Sequence, residues 1–199
     1  INGRVVKLVA ETVETAVEQE QTNVGEVVFF RTLDGQVIDR VQLDLPAGVD
    51  VISVQPEGPA STLMVLGLSN GSVMIIRDRY RITYPNDERL ITPRIEYPYG
   101  QEPIVISETG QPVIKAAISD TEENMLISAV TADKKAHLVH YVKEESLFGD
   151  EVNLERNDIV LPVVESNLHS ILISPDQNWA YLVSEKGTID VLDLRDLDN

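Results

Sequence analysis

The chain has 199 residues, no cysteine, and 33 acidic against 16 basic side chains, for a net charge of −17. That balance repels phosphate backbones and anionic lipid, which disfavours nucleic-acid binding and electrostatic membrane docking. Disulfides, thiolate metal sites and thiol nucleophiles are excluded, and no run approaches the roughly 18 apolar residues of a membrane span.

Near the N-terminus Val6, Leu8 and Ala10 alternate with more polar neighbours, a period that predicts a strand. Glu11, Glu14, Glu18 and Glu20 then crowd a stretch that reads as a loop or a short helical turn. Residues 25–31 and 36–43 are expected to pair as a hairpin across Thr32-Leu33-Asp34-Gly35, since Asp-Gly between alternating apolar runs favours a tight reversal.

From residue 51 a unit of strand, turn, strand, turn, strand recurs. It spans 51–77 with turns at Gln55-Pro56-Glu57-Gly58 and Ser69-Asn70-Gly71, and returns at 114–141. It returns again at 170–192, where Ser174-Pro175-Asp176-Gln177-Asn178 leads into Trp179. Proline presets the turn, and Asp or Asn tolerates the strained position that follows. The last strand of each unit shares a pattern with an earlier copy: Gly25 to Phe30, Gly71 to Ile76 and Gly187 to Leu192, with Lys135 to Tyr141 filling the slot without glycine. These copies begin 46, 64 and 52 residues apart. Such a period with several short strands per unit is the mark of a β-propeller, in which each blade buries its faces only against its neighbours. Closed rings use about 4–8 blades. The chain is therefore expected to be one all-β domain over 1–199, a partial propeller of about three to four antiparallel four-stranded blades, with Ile1 and Asn199 as boundaries within a larger ring.

Two stretches lengthen the repeat. Residues 84–112 hold five of the ten prolines and read as an extended connection, and 143–166 read as an acidic one. Long excursions of this kind tend to form one rim of a repeat protein.

Candidate chemistry is sparse. His137 and His140, three apart on a strand, point to opposite faces, and no metal site is expected. No nucleophile elbow or glycine-rich phosphate loop occurs, and paired carboxylates such as Glu122-Glu123 read as solvated turns. No catalytic residue or cofactor is assigned, and the chain is not expected to be an enzyme. The distinctive feature is Arg77, Arg79 and Arg81, which share one face of a continued strand. They can grip a carboxylate or another anion, or protect an edge strand and pair with acidic loops. Tyr97 and Tyr99, beside Pro98, can anchor a partner or pack the connection back onto a blade.

Two stretches resemble a known family. Residues 80–85 with 91–100 (Tyr80 to Pro85, Ile91 to Gly100) and residues 141–156 (Tyr141 to Gly149, Glu151 to Arg156) are similar to the extramembranous insertion of proteobacterial phosphate ABC-transporter permeases of the enlarged, PstC-like type. The resemblance implies a WD40-like propeller on the periplasmic face of the inner membrane, anchored only through helices outside this chain. It implies other transporter subunits and the periplasmic phosphate-binding protein as partners, and carries no phosphate-binding residue onto this sequence. An open stack of blades is also expected to associate through its end faces, including with a second copy. The alternatives are a free-standing envelope scaffold and a propeller enzyme of lactonase or quinoprotein type. The latter would need ligating side chains at blade starts, which here are mostly apolar (Val51-Ile52, Ile114, Ile171).

Overall fold

The computed structural model describes residues 6–11, 24–30, 36–145, 152–159, 161 and 167–195. They form fifteen strands in four antiparallel sheets that follow one another in chain order. The first sheet holds β1 (Val6–Glu11), β2 (Val24–Phe30) and β3 (Val37–Gln42). The second holds β4 (Val51–Pro56), β5 (Leu63–Leu68), β6 (Ser72–Thr83) and β7 (Leu90–Glu96), with the short β8 (Ile104–Val105) beside the start of β6. The third holds β9 (Val113–Asp120), β10 (Asn124–Thr131), β11 (Ala136–Glu145) and β12 (Val152–Ile159). The fourth holds β13 (Leu168–Ile173), β14 (Trp179–Ser184) and β15 (Ile189–Asp193).

Why the sheets stack is legible in β5, Leu-Met-Val-Leu-Gly-Leu, in which every residue is buried. Successive side chains point to opposite faces. Met64, Leu66 and Leu68 therefore join Met74 and Ile76 in packing on Val27, Leu43 and Val49. Leu63 and Val65 go the other way, with Val73 and Ile75, onto Val113, Ile118, Met125, Ile127 and Val139 of the third sheet. A third core joins Leu126, Val130 and Leu138 to Leu168, Ile171, Ala180 and Leu182 of the fourth. Each fully buried Leu, Ile or Met contributes roughly 1.5–3 kcal/mol. Among the described residues no core joins the first sheet to the fourth.

The repeated pattern falls on β2, β6, β11 and β15, one strand per sheet. Before β6 and β15 the turn closes through Gly71 (φ +84°) and Gly187 (φ +83°), and before β11 Lys134 takes the same left-handed conformation (φ +63°). That slot demands a backbone conformation, and a lysine meets it at some cost in strain. In the turn after β13 the left-handed residue is Gln177 (φ +57°), while Asp176 accepts from the Asn178 amide at 3.3 Å.

The two stretches expected to be irregular contain strands. Residues 84–112 carry a 3-10 turn (Pro85–Asp87), β7 and β8, and 143–166 carry the end of β11 and all of β12. Pro93 fits because β7 is bonded on one side only, where a missing N–H leaves no gap in the ladder. The reversal read at 32–35 and the acidic stretch beyond Glu11 lie outside the described residues.

The second and third sheets approach closely at Gly67. A methyl group there would sit 2.5 Å from the Val113 carbonyl oxygen and nearer still to the Ser53 hydroxyl, which itself donates to that carbonyl at 3.1 Å. Gly67→Ala is expected to lower stability by about 1–3 kcal/mol in urea denaturation, the usual cost of overpacking. Gly58→Ala, which meets open space, should leave the midpoint unchanged.

Candidate interaction site

The arginine strand is interior to its sheet up to Arg77 and, among the described residues, bonded on one side only from Arg79 onward. β6 continues past the end of its pairing with β5 and pairs with β7 instead, setting Arg77, Arg79 and Arg81 opposite Glu96, Arg94 and Thr92. Residues 78–83 and 90–95 thus form a hairpin arm that extends beyond β5. Directly opposed residues share a face, so the arm has two distinct sides. One carries Arg79, Arg81 and Arg94. The other carries Tyr80 and Ile82 opposite Pro93 and Ile91. At its tip Tyr84 and Leu90 are 64% and 51% exposed, and Tyr80 is 53% exposed.

The three arginines have different surroundings. Arg77 is partly buried, its guanidinium 4.0 Å from Asp120. Arg79 lies 3.4 Å from Glu96, which also pairs with Arg94. Arg81 is exposed and forms no ion pair among the described residues. Arg79, Arg81 and Arg94 are thus a cationic surface with one local counterion. Exposed pairs of this type contribute little to stability.

The tyrosines turn inward. Tyr97 packs on the core between the first and second sheets and accepts from the Asp44 amide at 3.3 Å. Tyr99 packs on the next core and donates to Asp120 at 2.6 Å. The two rings pin the connection to successive cores, so neither is an exposed anchor.

Asp120 is a hub that sequence reasoning passed over, since it read the nearby Glu122-Glu123 as a solvated turn and assigned Asp120 no role. It ends β9 and accepts from Tyr99 and from the Lys143 ammonium of β11, each at 2.6 Å. Its own amide donates to Glu57 at 2.8 Å. Lys143 also donates to the Thr121 carbonyl at 2.5 Å and lies 5.4 Å over the Tyr99 ring. Both members of the Asp120–Lys143 pair are nearly buried, at 12% and 11% side-chain exposure. Burial first, and then the neighbouring Asp120 carboxylate, push the Tyr99 phenol far above its ordinary range. This cluster locks the second sheet, the 84–112 connection and the third sheet together.

The histidines stay apart. His137 lies 3.4 Å from the Thr131 hydroxyl, and burial pulls its imidazole below the ordinary range. His140 lies 3.0 Å from the Asn124 amide oxygen. Among the described residues no group of three or more potential metal ligands converges. A cavity of about 490 Å³ opens along β4, β9 and β13, the first strands of three sheets, and is lined by Gln55, Lys115, Ala117, Ser128, Ser170 and Leu172.

Comparison of the sequence with protein-family models and with curated proteins finds no match.

Three outcomes follow from the Asp120 cluster. Asp120→Ala strands the Lys143 ammonium in a nearly dry site and is expected to cost about 3–5 kcal/mol. Tyr99→Phe removes one hydrogen bond and is expected to cost about 1–2 kcal/mol, both read by chemical denaturation. The Tyr99 phenol ionises at higher pH folded than unfolded. Its contribution is therefore complete below the unfolded phenol value of about 10 and declines as pH rises above that value. Wild type should lose stability above pH ~10 more steeply than Tyr99→Phe. Equal slopes would contradict the assignment.

Proposed function

We propose that the four sheets are consecutive blades of a WD40-like β-propeller and that the chain works as a protein-contact module. On this reading it is the periplasmic domain of a phosphate ABC-transporter permease, to whose insertion residues 80–100 and 141–156 are similar. Strand order supports the propeller assignment: the sheets follow chain order, and the first strands of the second, third and fourth share one cavity. The burial pattern supports it too, because each core lies between sequential neighbours.

The observation that carries the contact function is the β6–β7 arm. It displays Arg79, Arg81 and Arg94 on one side, Tyr80 and Ile82 on the other and Tyr84 at its tip, on a chain whose net charge is −17. Arginine and tyrosine are the residues most enriched where binding energy concentrates. A regular two-stranded arm holds them in fixed positions, which lowers the entropy cost of association. The fitting partner surface is carboxylate-rich beside an apolar patch, the chemistry that forked guanidinium groups recognise.

Binding of the cognate periplasmic phosphate-binding protein, with and without phosphate, tests this. The Arg79→Glu/Arg81→Glu double variant and Tyr80→Ser are each expected to weaken the complex at least tenfold, with circular dichroism and melting temperature unchanged. Undiminished binding by both variants removes the arm from the contact. Absence of binding by the wild type refutes the transporter reading.

A further inference from the structure

The first strands of the second, third and fourth sheets, β4, β9 and β13, are each bonded on one side only among the described residues. Their other sides converge on the cavity of about 490 Å³. That volume lies within the usual range of small-molecule sites, about 300–1,000 Å³. None of the chain's 33 acidic residues lines it, and its one charged side chain is Lys115.

The backbone polarity of the wall follows from three bonds. The Glu57, Thr121 and Ser174 amides donate to the carbonyls of Leu63, Asn124 and Trp179 at 3.0, 2.8 and 2.9 Å. Bonding alternates along an antiparallel ladder. The N–H and C=O groups of Val54, Ala116 and Ile171 therefore face away from their paired strands, and all three residues line the cavity. The Ile171 carbonyl accepts from the buried Ser128 hydroxyl at 3.3 Å. The strand edges offer donors and acceptors alike, so any preference for charge rests with Lys115.

The Lys115 ammonium donates to His169 Nε2 at 3.1 Å, reaching from β9 to β13. An ammonium can only donate, so the imidazole meets it with a lone pair and supplies no countercharge. Lys134, Lys135 and Lys143 each pair with a carboxylate. Lys115 has none within reach among the described residues, and Glu185, which senses His169, is engaged by Lys134 at 2.8 Å. Apolar surface adjoins the ammonium: Val54 and Leu172 are 38% and 52% exposed in the same wall, with Ile114 and Ala117 beside them. A concave wall focuses the field of the charges that line it. We propose that the cavity binds a small organic carboxylate, its charge on Lys115 with the open strand-edge N–H groups as further donors, and its apolar body on Val54 and Leu172. This site is separate from the β6–β7 arm and does not depend on the transporter reading.

The test titrates the full chain with phenylbutyrate, and with phenylbutylamine as a body of similar shape and opposite charge. The amide NMR signals of Val54, Ala116 and Ile171 should shift saturably with phenylbutyrate, which should bind at least tenfold more tightly than the amine. An acidic surface acting without a site would rank the two probes the other way. Lys115→Met should weaken phenylbutyrate binding at least tenfold, Lys115→Glu should reverse the ranking, and Lys115→Arg should retain it, all at unchanged melting temperature. Ala117→Phe narrows the cavity at unchanged charge and should also weaken phenylbutyrate binding. Tighter binding of the amine by the wild type, or no saturable binding of phenylbutyrate, would overturn the proposal. So would undiminished affinity in Lys115→Met or Ala117→Phe, or shifts confined to other parts of the chain.

Discussion

Contact between neighbouring sheets is the constraint on which the rest of this molecule depends. A sheet of three or four short strands is apolar on both faces here, and isolated it would leave Leu66 on one side and Val65 on the other in water. Stacking buries both. The stack is close enough that backbone meets side chain at Gly67, where the Val113 carbonyl leaves no room for a methyl group. That carbonyl accepts from Ser53, so the tightest point is also hydrogen-bonded. The identity of one glycine thus follows from the spacing between two sheets.

The same spacing explains why the polar groups that matter lie between sheets and not on an outer surface. Asp120 stands at the end of β9, where Tyr99 arrives from the long connection and Lys143 from β11. A nearly buried ammonium requires a carboxylate, and that carboxylate requires further donors. The Tyr99 phenol provides one, and the Arg77 guanidinium adds positive charge 4.0 Å away. The aromatic connection is therefore held as firmly as a strand, and the neighbouring arm has a stable base from which to project. Arg77 belongs to the base, Arg79 and Arg81 to the projection. Three arginines of equal spacing thus serve two different purposes.

Much of the fold was legible in the residues. The recurring strand, turn, strand, turn, strand order over residues 51–77, 114–141 and 170–192 located three strands in each of the second to fourth sheets, because turn-forming residues mark the reversals between apolar runs. β7 and β12 were missed for opposite reasons. The prolines of 84–112 suggested irregularity, yet a strand bonded on one side tolerates them. The charges of 152–159 masked a strand whose Leu154 and Ile159 still reach the cores. The arginine face was legible from spacing within one strand. The Asp120–Lys143 pair was not, because its members are 23 residues apart and meet only through the register of β9, β10 and β11. No short motif marks a contact of that kind.

The serial arrangement of the three cores bears on how the molecule comes apart. Each sheet is stabilised by the sheets beside it, so coupling along the array decays from neighbour to neighbour. Among the described residues the middle pair of sheets has support on both sides and the outer pair on one. Heat or denaturant should therefore loosen the first and fourth sheets while the second and third persist, making the melt a sequence of partly independent steps. A partner seated on an outer sheet would then act as a cap, raising the cooperativity of the whole array without touching its centre.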